Sequence, residues 1–549
     1  MKIFTHNHLR SFSNRSPKMI LLVIIAISFL THSCYKDRLD LDKIAGGKWT
    51  PEIAGPIAHA DLTMAYMIKD SKNPWKEYPD GLLSLIYRQD AVTDIAADVI
   101  SFPDQHNDTN ISFSMNPNMS VGDSAFKYVI FTTEFVGNNG EYLDSILIKN
   151  GIIEFEVTTD LNHDGYLELT IPTLTRYGVT FRKRIDFKYS GNSSTTIKAT
   201  VSLEDYYLTL INTGGQHNQI KEYVKVSATK LATPDNSPYT FELKQSIRDI
   251  NYYLAMGYFH QHTITIDETK IPIDLFDNQT AGTIFIEDPH LYVKLRNTYG
   301  LPSSMTFDEL YAEKDGVKKD ITSTLLPTLN INYPSFAQIG QADTTTYHFN
   351  TSNSNIKDIV AMNPKQIVFR GFVQTNPTGM PIDNFVLDTS HILVDVELEI
   401  PMYGRALEFE LRDTTTIDNG DDTYTNTSDI KSITINLNSD NGFPVDVMLQ
   451  LYMLDSMNNI IDSVFKSDGH LVAAAPIGPA PDYRVTAKQH NLAKIPLNET
   501  QINNYNKAVS LVLSAHATTI DSGTKIVKLY SDYSVYMEVA AKVELETNF

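Results

Sequence analysis

The most regular signal along the chain is alternation. In HILVDVELEI, Ile392, Val394, Val396, Leu398 and Ile400 share one parity, while His391, Asp395, Glu397 and Glu399 share the other. A period of two with one polar face predicts an antiparallel strand packed on one side. LLSLIYR (82–88), FKYVIFTTEF (126–135) and IIEFEVTTDL (152–161) are short runs rich in β-branched and aromatic residues, and YLELTIP, VTFRKRIDFKY, TTIKATVSL, YYLTLIN and KEYVKVSATKL follow closely. Turn punctuation (NNG, HDG, GNSS, NTGG, PDNSP, DNGDD) separates such runs. Repeated short strands at this spacing predict an all-β chain of several antiparallel sandwich-like domains in series, with very little helix. Helical pattern is confined to MTFDELYAEKDG (305–316) and NETQINNYNKAV (498–509), each long enough for a short helix only.

Two segments echo one another. IFIEDPHLYVKLRNTYGLPSSMTF (284–307) and IKSITINLNSDNGFPVDVMLQLYMLD (430–455) each give a strand, then Asn, Gly, an apolar residue and Pro: Asn297, Gly300, Leu301 and Pro302 in one, Asn441, Gly442, Phe443 and Pro444 in the other. The spacing differs by two, so the echo reads as a shared turn device, a strand that ends, turns on Gly and restarts beyond a Pro. Polar turn residues cluster at PDNSP (234–238) and DNGDDTYTNTS (418–428). The expected division is therefore a leader at 1–33, a charged tether at 34–48, first β domain or domains at 49–235, a second at 236–418 and a C-terminal β domain at 419–549.

The leader is read from residues 19–34, MILLVIIAISFLTHSC. Met19 to Leu30 carry no charge, and Lys2, Arg10, Arg15 and Lys18 precede them without any Asp or Glu. A positive segment followed by a short apolar run reads as an export signal. Twelve residues span about 18 Å as a helix, short of the roughly 30 Å hydrocarbon core. Cys34, the sole cysteine of the chain, follows four residues later. The arrangement resembles a bacterial lipoprotein signal, which implies acylation of Cys34 and an anchor in the outer membrane. Thr31 and His32 depart from the usual lipobox, and the alternative is a secretory leader cut near Ser33. The segment Trp49-x-Pro51-x-Ile53-Ala54-x-Pro56-Ile57 resembles the start of a group of uncharacterised Bacteroidota lipoproteins, a resemblance that brings no activity with it. On residue chemistry alone it reads as an edge strand of the first domain.

Removing 1–33 leaves 516 of 549 residues, room for roughly three or four domains. It also takes the formal net charge from −21 to −25, because the leader holds four basic residues and no acidic ones. Such a chain repels phosphate backbones, so nucleic acid is a poor partner. With no cysteine pairs, each domain depends on burial rather than on disulfides.

The sharpest motif is DLNHDGYLE, in which Asp160, Asn162, Asp164, Gly165 and Glu168 match a calcium-loop spacing. Ca²⁺ takes six to eight oxygens, which alternate side chains around a Gly turn can supply. The simpler reading is a hairpin that turns FEVTT back into YLELTI on Asp164-Gly165. His260 and His262 read as a same-face pair on a strand without a third ligand. Glu154/Glu156 and Asp395/Glu397/Glu399 read as neighbours on wet strand faces, where raised pKa values are not expected. No G-x-S-x-G, G-x-G-x-x-G, P-loop or H-E-x-x-H pattern is present. Asp-Ser/Thr triplets at 123–125, 144–146, 343–345, 413–415, 455–457 and 462–464 resemble O-glycosylation sites of exported Bacteroidota proteins. The alternating end, Tyr533 to Leu545 before Phe549, fits a long final strand of a sandwich, with an outer-membrane barrel strand as the rival.

The expected function is that of an envelope-anchored structural or binding module without catalysis, held to the membrane through lipid and facing envelope proteins or glycans. Two alternatives stay open: a fimbrillin-like adhesin or pilus subunit, and a glycan-binding or glycan-processing surface protein. No cofactor is expected beyond Ca²⁺ at Asp160, Asn162, Asp164 and Glu168.

Overall fold

The computed structural model describes residues 48–64, 74–276, 279–380, 383–416, 430–465, 469–545 and 547–548. Cys34 and the leader lie outside them, as does all of 418–428.

Every named strand pairing is antiparallel, and the pairings resolve into three copies of one topology. In the first, roll I, the eight main strands are Gln105–Phe113, Ser124–Glu134, Tyr142–Thr159, Asp164–Arg176, Val179–Phe187, Thr195–Ser202, Gln219–Thr229 and Tyr239–Tyr258. The first, eighth, third and sixth are neighbours in that order, and the second, seventh, fourth and fifth form the facing layer. Roll II is built from Leu83–Val92, Thr263–Pro272, His290–Asn297, Ser303–Lys314, Val317–Asp320, Asp343–Phe349, Gln366–Thr375 and Ile392–Pro401. These pair in the same two orders. Roll III uses Glu52–Thr63, Tyr403–Thr416, Ile430–Asn441, Val445–Leu454, Ile460–Ser463, Gln489–Asn498, Ser510–Thr519 and Ser534–Leu545, again in both orders. Two four-stranded layers ordered 1-8-3-6 and 2-7-4-5 are a jelly roll. The expectation of an all-β, sandwich-built chain with little helix is met.

The rolls are nested. Roll I lies entirely between the first and second strands of roll II. Roll II and its insert in turn lie between the first and second strands of roll III. Two strands from roll II join the copies: Asn384–Leu387 pairs with Leu254–Gly257 of roll I, and Gln279–Ile286 pairs with the second strand of roll III. The 235/236 boundary read from the sequence falls between the seventh and eighth strands of roll I, and 418/419 between the second and third strands of roll III.

Alternating burial drives the layers together. Thr195–Ser202 alternates half-buried and exposed along its length, and the sheets of roll I meet through Phe155 on Phe181 (6.2 Å between centroids) and Phe187 on Phe241 (5.8 Å). One continuous apolar core runs from Leu85 to Ile400 through rolls I and II, whereas the buried clusters of roll III are smaller, around Tyr530 with Tyr533 and around Met453 with Leu511.

The echoed segments occupy the same corner of rolls II and III, where the third strand leaves one sheet and the fourth begins the other. Asn297 Oδ1 accepts the Tyr299 N–H at 2.8 Å and its Nδ2 donates to Asn332 O at 3.1 Å. Asn441 Oδ1 accepts the Phe443 N–H at 2.9 Å and its Nδ2 donates to Ala473 O at 2.9 Å. Gly300 N–H donates to Phe385 O in Asn384–Leu387, and Gly442 N–H donates to Ser534 O at the start of roll III's eighth strand. A buried Asn thus satisfies the backbone that the crossing strips of ladder partners.

Three expectations change. Residues 305–314 lie in the central strand Ser303–Lys314 rather than in a helix; Asp308 is an extra residue between Phe307↔Gly371 and Glu309↔Arg370, so the buried positions move from Met305 to Leu310 and Ala312. That bulge breaks the period of two and imitates helical spacing. DLNHDG is a sheet-crossing corner rather than a hairpin, because the strands it joins pair with other strands and not with each other. The edge strand Glu52–Thr63, bulged beside Pro56, belongs to roll III rather than to the first domain. The short helix near 498–509 is present as Glu499–Lys507, with Asn498 accepting from Gln501 N–H. The final strand is interior, paired on both sides.

Candidate functional site

The calcium-spaced residues turn to separate partners. Asp160 Oδ1 accepts the Thr240 N–H at 2.7 Å. Asn162 Oδ1 accepts the Tyr239 hydroxyl at 2.6 Å and its Nδ2 donates to Pro234 O at 2.6 Å. Asp164 accepts the Tyr189 N–H at 3.0 Å and pairs with Lys188 at 2.9 Å, so Lys188 followed by that N–H holds its carboxyl below the usual range. Glu168 lies out along the fourth strand, 3.9 Å from Arg182. Among the described residues no group of three or more His, Cys, Asp or Glu is placed to hold a metal ion. The corner is thus built like its counterparts in rolls II and III, with a buried Asn as its hydrogen-bonding centre.

His260 and His262 lie in the link between Tyr258 and Thr263 rather than on a strand face. His260 packs on Tyr258 (4.7 Å) and Tyr142 (5.5 Å), while His262 Nε2 lies 2.8 Å from Phe259 O. Ser145, in one of the Asp-Ser triplets, is buried within a strand.

Glu154 and Glu156 line an open groove of about 370 Å³ on the outer face of the 1-8-3-6 sheet of roll I. The sheet register sets Asp108, Lys244, Glu156 and Lys198 side by side across its four strands. Glu156 pairs with Lys198 at 2.6 Å, which holds its carboxyl below the ordinary range, and Glu154 pairs with Arg248. A glycosidase acid needs a carboxyl kept protonated near neutral pH, and Glu156 is held the opposite way. Burial does raise two carboxyls: Asp395, which lies buried rather than on the wet face expected of it and is held above its ordinary value in spite of Arg88, and Glu222, pushed up to about 7 against bonds from Thr133 and Gln245. Glu222 points into the sandwich core, alternating with Ile220 and Val224, and Glu399 is likewise enclosed, paired with Lys76 at 2.8 Å.

The opposite sheet of roll I carries the most distinctive surface. Its second strand buries Ala125, Val129 and Phe131 in part and turns Phe126, Tyr128 and Ile130 outward, 61%, 62% and 58% exposed. Tyr128 is paired in register with Lys225, Ile130 with Tyr223, and Lys225 in turn with Glu168. The Lys225 ammonium stands 5.2 Å from the Phe126 ring, 5.7 Å from Tyr128 and 5.5 Å from Tyr166. It pulls the Tyr166 phenol below its ordinary value. Arg184 stacks on Tyr166 at 3.7 Å while pairing with Asp186 at 2.7 Å. The alternation of the chain does not single these residues out. The available signal was apolar residues at both parities of FKYVIF, which leaves one apolar set on the outside whichever way the strand faces.

No protein-family model and no curated protein matches the chain. Among solved structures, a protein described as secreted, from Parabacteroides distasonis, is 14% identical with a TM-score of 0.28, covering 53% of this chain and 88% of that one. The Gx strain structure of infectious bursal disease virus is 9% identical with a TM-score of 0.15, covering 83% and 82%. A triple jelly roll of an archaeal virus is 9% identical with a TM-score of 0.10, covering 81% and 91%. These scores lie well below 0.5, and the assignment of three jelly rolls rests on the strand pairing.

Proposed function

We propose that the chain is an exported lipoprotein, acylated at Cys34 and anchored in the outer membrane, that acts as a non-catalytic binding or structural module with roll I as its outermost part. The observation that supports this reading is where the two ends lie. Lys48–Trp49 pairs with Thr547–Asn548, and Glu52–Thr63 with Ser534–Leu545, so both ends enter roll III. Roll II contacts roll III through Gln279–Ile286, and through Arg484, which donates to Asp80 O. Roll I is joined to roll II through Asn384–Leu387 and through Lys149 with Asp388 (2.6 Å). A tether over 34–48 would meet roll III first, leaving roll II between it and roll I. Two or three acyl chains hold a protein firmly where one does not.

Fractionation of cells expressing Cys34→Ser tests this reading. The expected result is release of the variant from the membrane fraction, with the natural chain retained and, on the intact envelope, roll I cleaved by protease before roll III. Full retention of the variant in the membrane would overturn the anchor.

A further inference from the structure

We propose that the outward face of the 2-7-4-5 sheet of roll I binds an acidic polysaccharide, with Phe126 and Tyr128 as the stacking platform and Lys225 as the cation that meets a sugar carboxylate. The inference deepens the binding role given to roll I, and rests on it.

Three apolar side chains in a row on the outside of one strand are costly in water, at about 25 cal/mol per Å² of apolar surface left uncovered. A contiguous patch of this kind marks an interaction site. Two features set its ligand. The rings present flat apolar area: Phe126 and Tyr128 lie 5.5 Å apart, edge to face, and Tyr166 and Tyr223 extend the same face. A pyranose has one face of C–H groups and a rim of hydroxyls, so it can lie on such rings while its rim reaches the Tyr hydroxyls and Thr132. The ammonium supplies the second feature. Lys225 is surrounded by three aromatic rings, and no carboxylate of the described residues lies in ion-pair range of it; Glu168, its cross-strand neighbour, is turned to Arg182 at 3.9 Å. An arriving carboxylate would form a charge-assisted hydrogen bond with it.

Charge distribution narrows the choice. The chain carries a formal charge of −21, so an acidic polymer is repelled elsewhere and held where a cation stands unneutralised. Nucleic acid needs a row of cations along its phosphates. Here Arg182 and Arg184 are engaged by Glu168 and Asp186, leaving Lys225 and, four residues before it over the Tyr223 ring at 5.4 Å, Lys221, two cations on one strand rather than a row.

The test is affinity electrophoresis of the whole mature chain carrying Cys34→Ser, in native gels cast with polygalacturonate, alginate or neutral dextran. Polygalacturonate or alginate is expected to retard the protein and dextran is not. Lys225→Met and the pair Phe126→Ala with Tyr128→Ala should each weaken retention about tenfold or more. Phe126 and Tyr128 are exposed and Lys225 is half-buried, so an unchanged melting temperature identifies folded variants. No retardation by either acidic polymer, equal retention of the variants, equal retardation by dextran, or preferential retention by single-stranded DNA would overturn the proposal. So would self-association abolished by the Phe126/Tyr128 pair, since a second copy would then be the occupant. If retardation fails while the natural chain stays in the membrane through Cys34, the ligand is lost and the anchoring reading stands.

Discussion

Buried carboxylates in this protein divide by whether a cation reaches them. Glu399 meets Lys76, which, against the effect of burial, joins Tyr78 in bringing it below its ordinary value, and Glu410 meets Arg412; Asp395 meets Arg88 at 2.6 Å, yet burial still holds it above its ordinary value. Glu222 has only the Thr133 hydroxyl and the Gln245 amide, and its Oε2 is buried without a partner. Desolvation therefore dominates and raises its pKa from 4.5 to about 7. A carboxyl that binds its proton more tightly when folded adds most stability below its unfolded pKa and loses that contribution as pH rises through the folded one. The pH window is therefore about 4.5 to 7, and the full span amounts to about 3 kcal/mol at 1.36 kcal/mol per unit. Glu222→Gln removes the titration. Denaturant melts should show the variant and the natural chain alike near pH 4, with the variant more stable by up to about 3 kcal/mol at pH 8. A pH-independent difference would show that Glu222 does not carry the proton.

At the scale of single elements, the corners between third and fourth strands are the most specific devices. A Cβ on Gly300 would lie 2.1 Å from the Phe385 ring, whereas one on Gly55, in the edge strand of roll III, meets nothing within 4 Å. Gly300→Ala should cost about 1–3 kcal/mol by overpacking, and Gly55→Ala should stay within about 0.5 kcal/mol; thermal melts of the two variants compare them directly. Much of this scale was legible in the sequence. The alternation of Ile392 to Ile400 announced a strand, and the Asn-Gly-apolar-Pro echo announced a shared turn whose position in the fold proved equivalent. What misled was local. Asp308 bulges out of register and gives its strand a helix-like spacing, and DLNHDG carries the Asp-Gly of a hairpin turn on a segment that crosses between sheets. The outward Phe126 and Tyr128 were hidden because a strand that is apolar on both parities does not declare which face meets water.

The nesting of the rolls was not legible, and the reason is distance along the chain. Strand runs and turns are local signals, but Leu83–Val92 finds its partner at Leu393–Pro401, and Glu52–Thr63 finds its partner at Ser534–Glu544. Nothing in the alternation of either strand specifies a neighbour hundreds of residues away, so a reading in chain order gives domains in series. The nested arrangement has a consequence for folding: in each outer roll the first strand meets its eighth only across the whole inserted roll, a non-local pairing that is slow to form. A chain ending after Pro401 lacks the other strands of roll III but keeps every main strand of rolls I and II and their common core. A chain ending after Asp388 also loses Ile392–Pro401, the strand between Leu83–Val92 and His290–Asn297. Limited proteolysis with mass spectrometry should therefore find rolls I and II protected together in the first truncation and roll I alone in the second. Equal digestion of the two would mean that roll II draws its stability from roll III, through Gln279–Ile286 and the Tyr530–Tyr533 cluster, rather than from its own eighth strand.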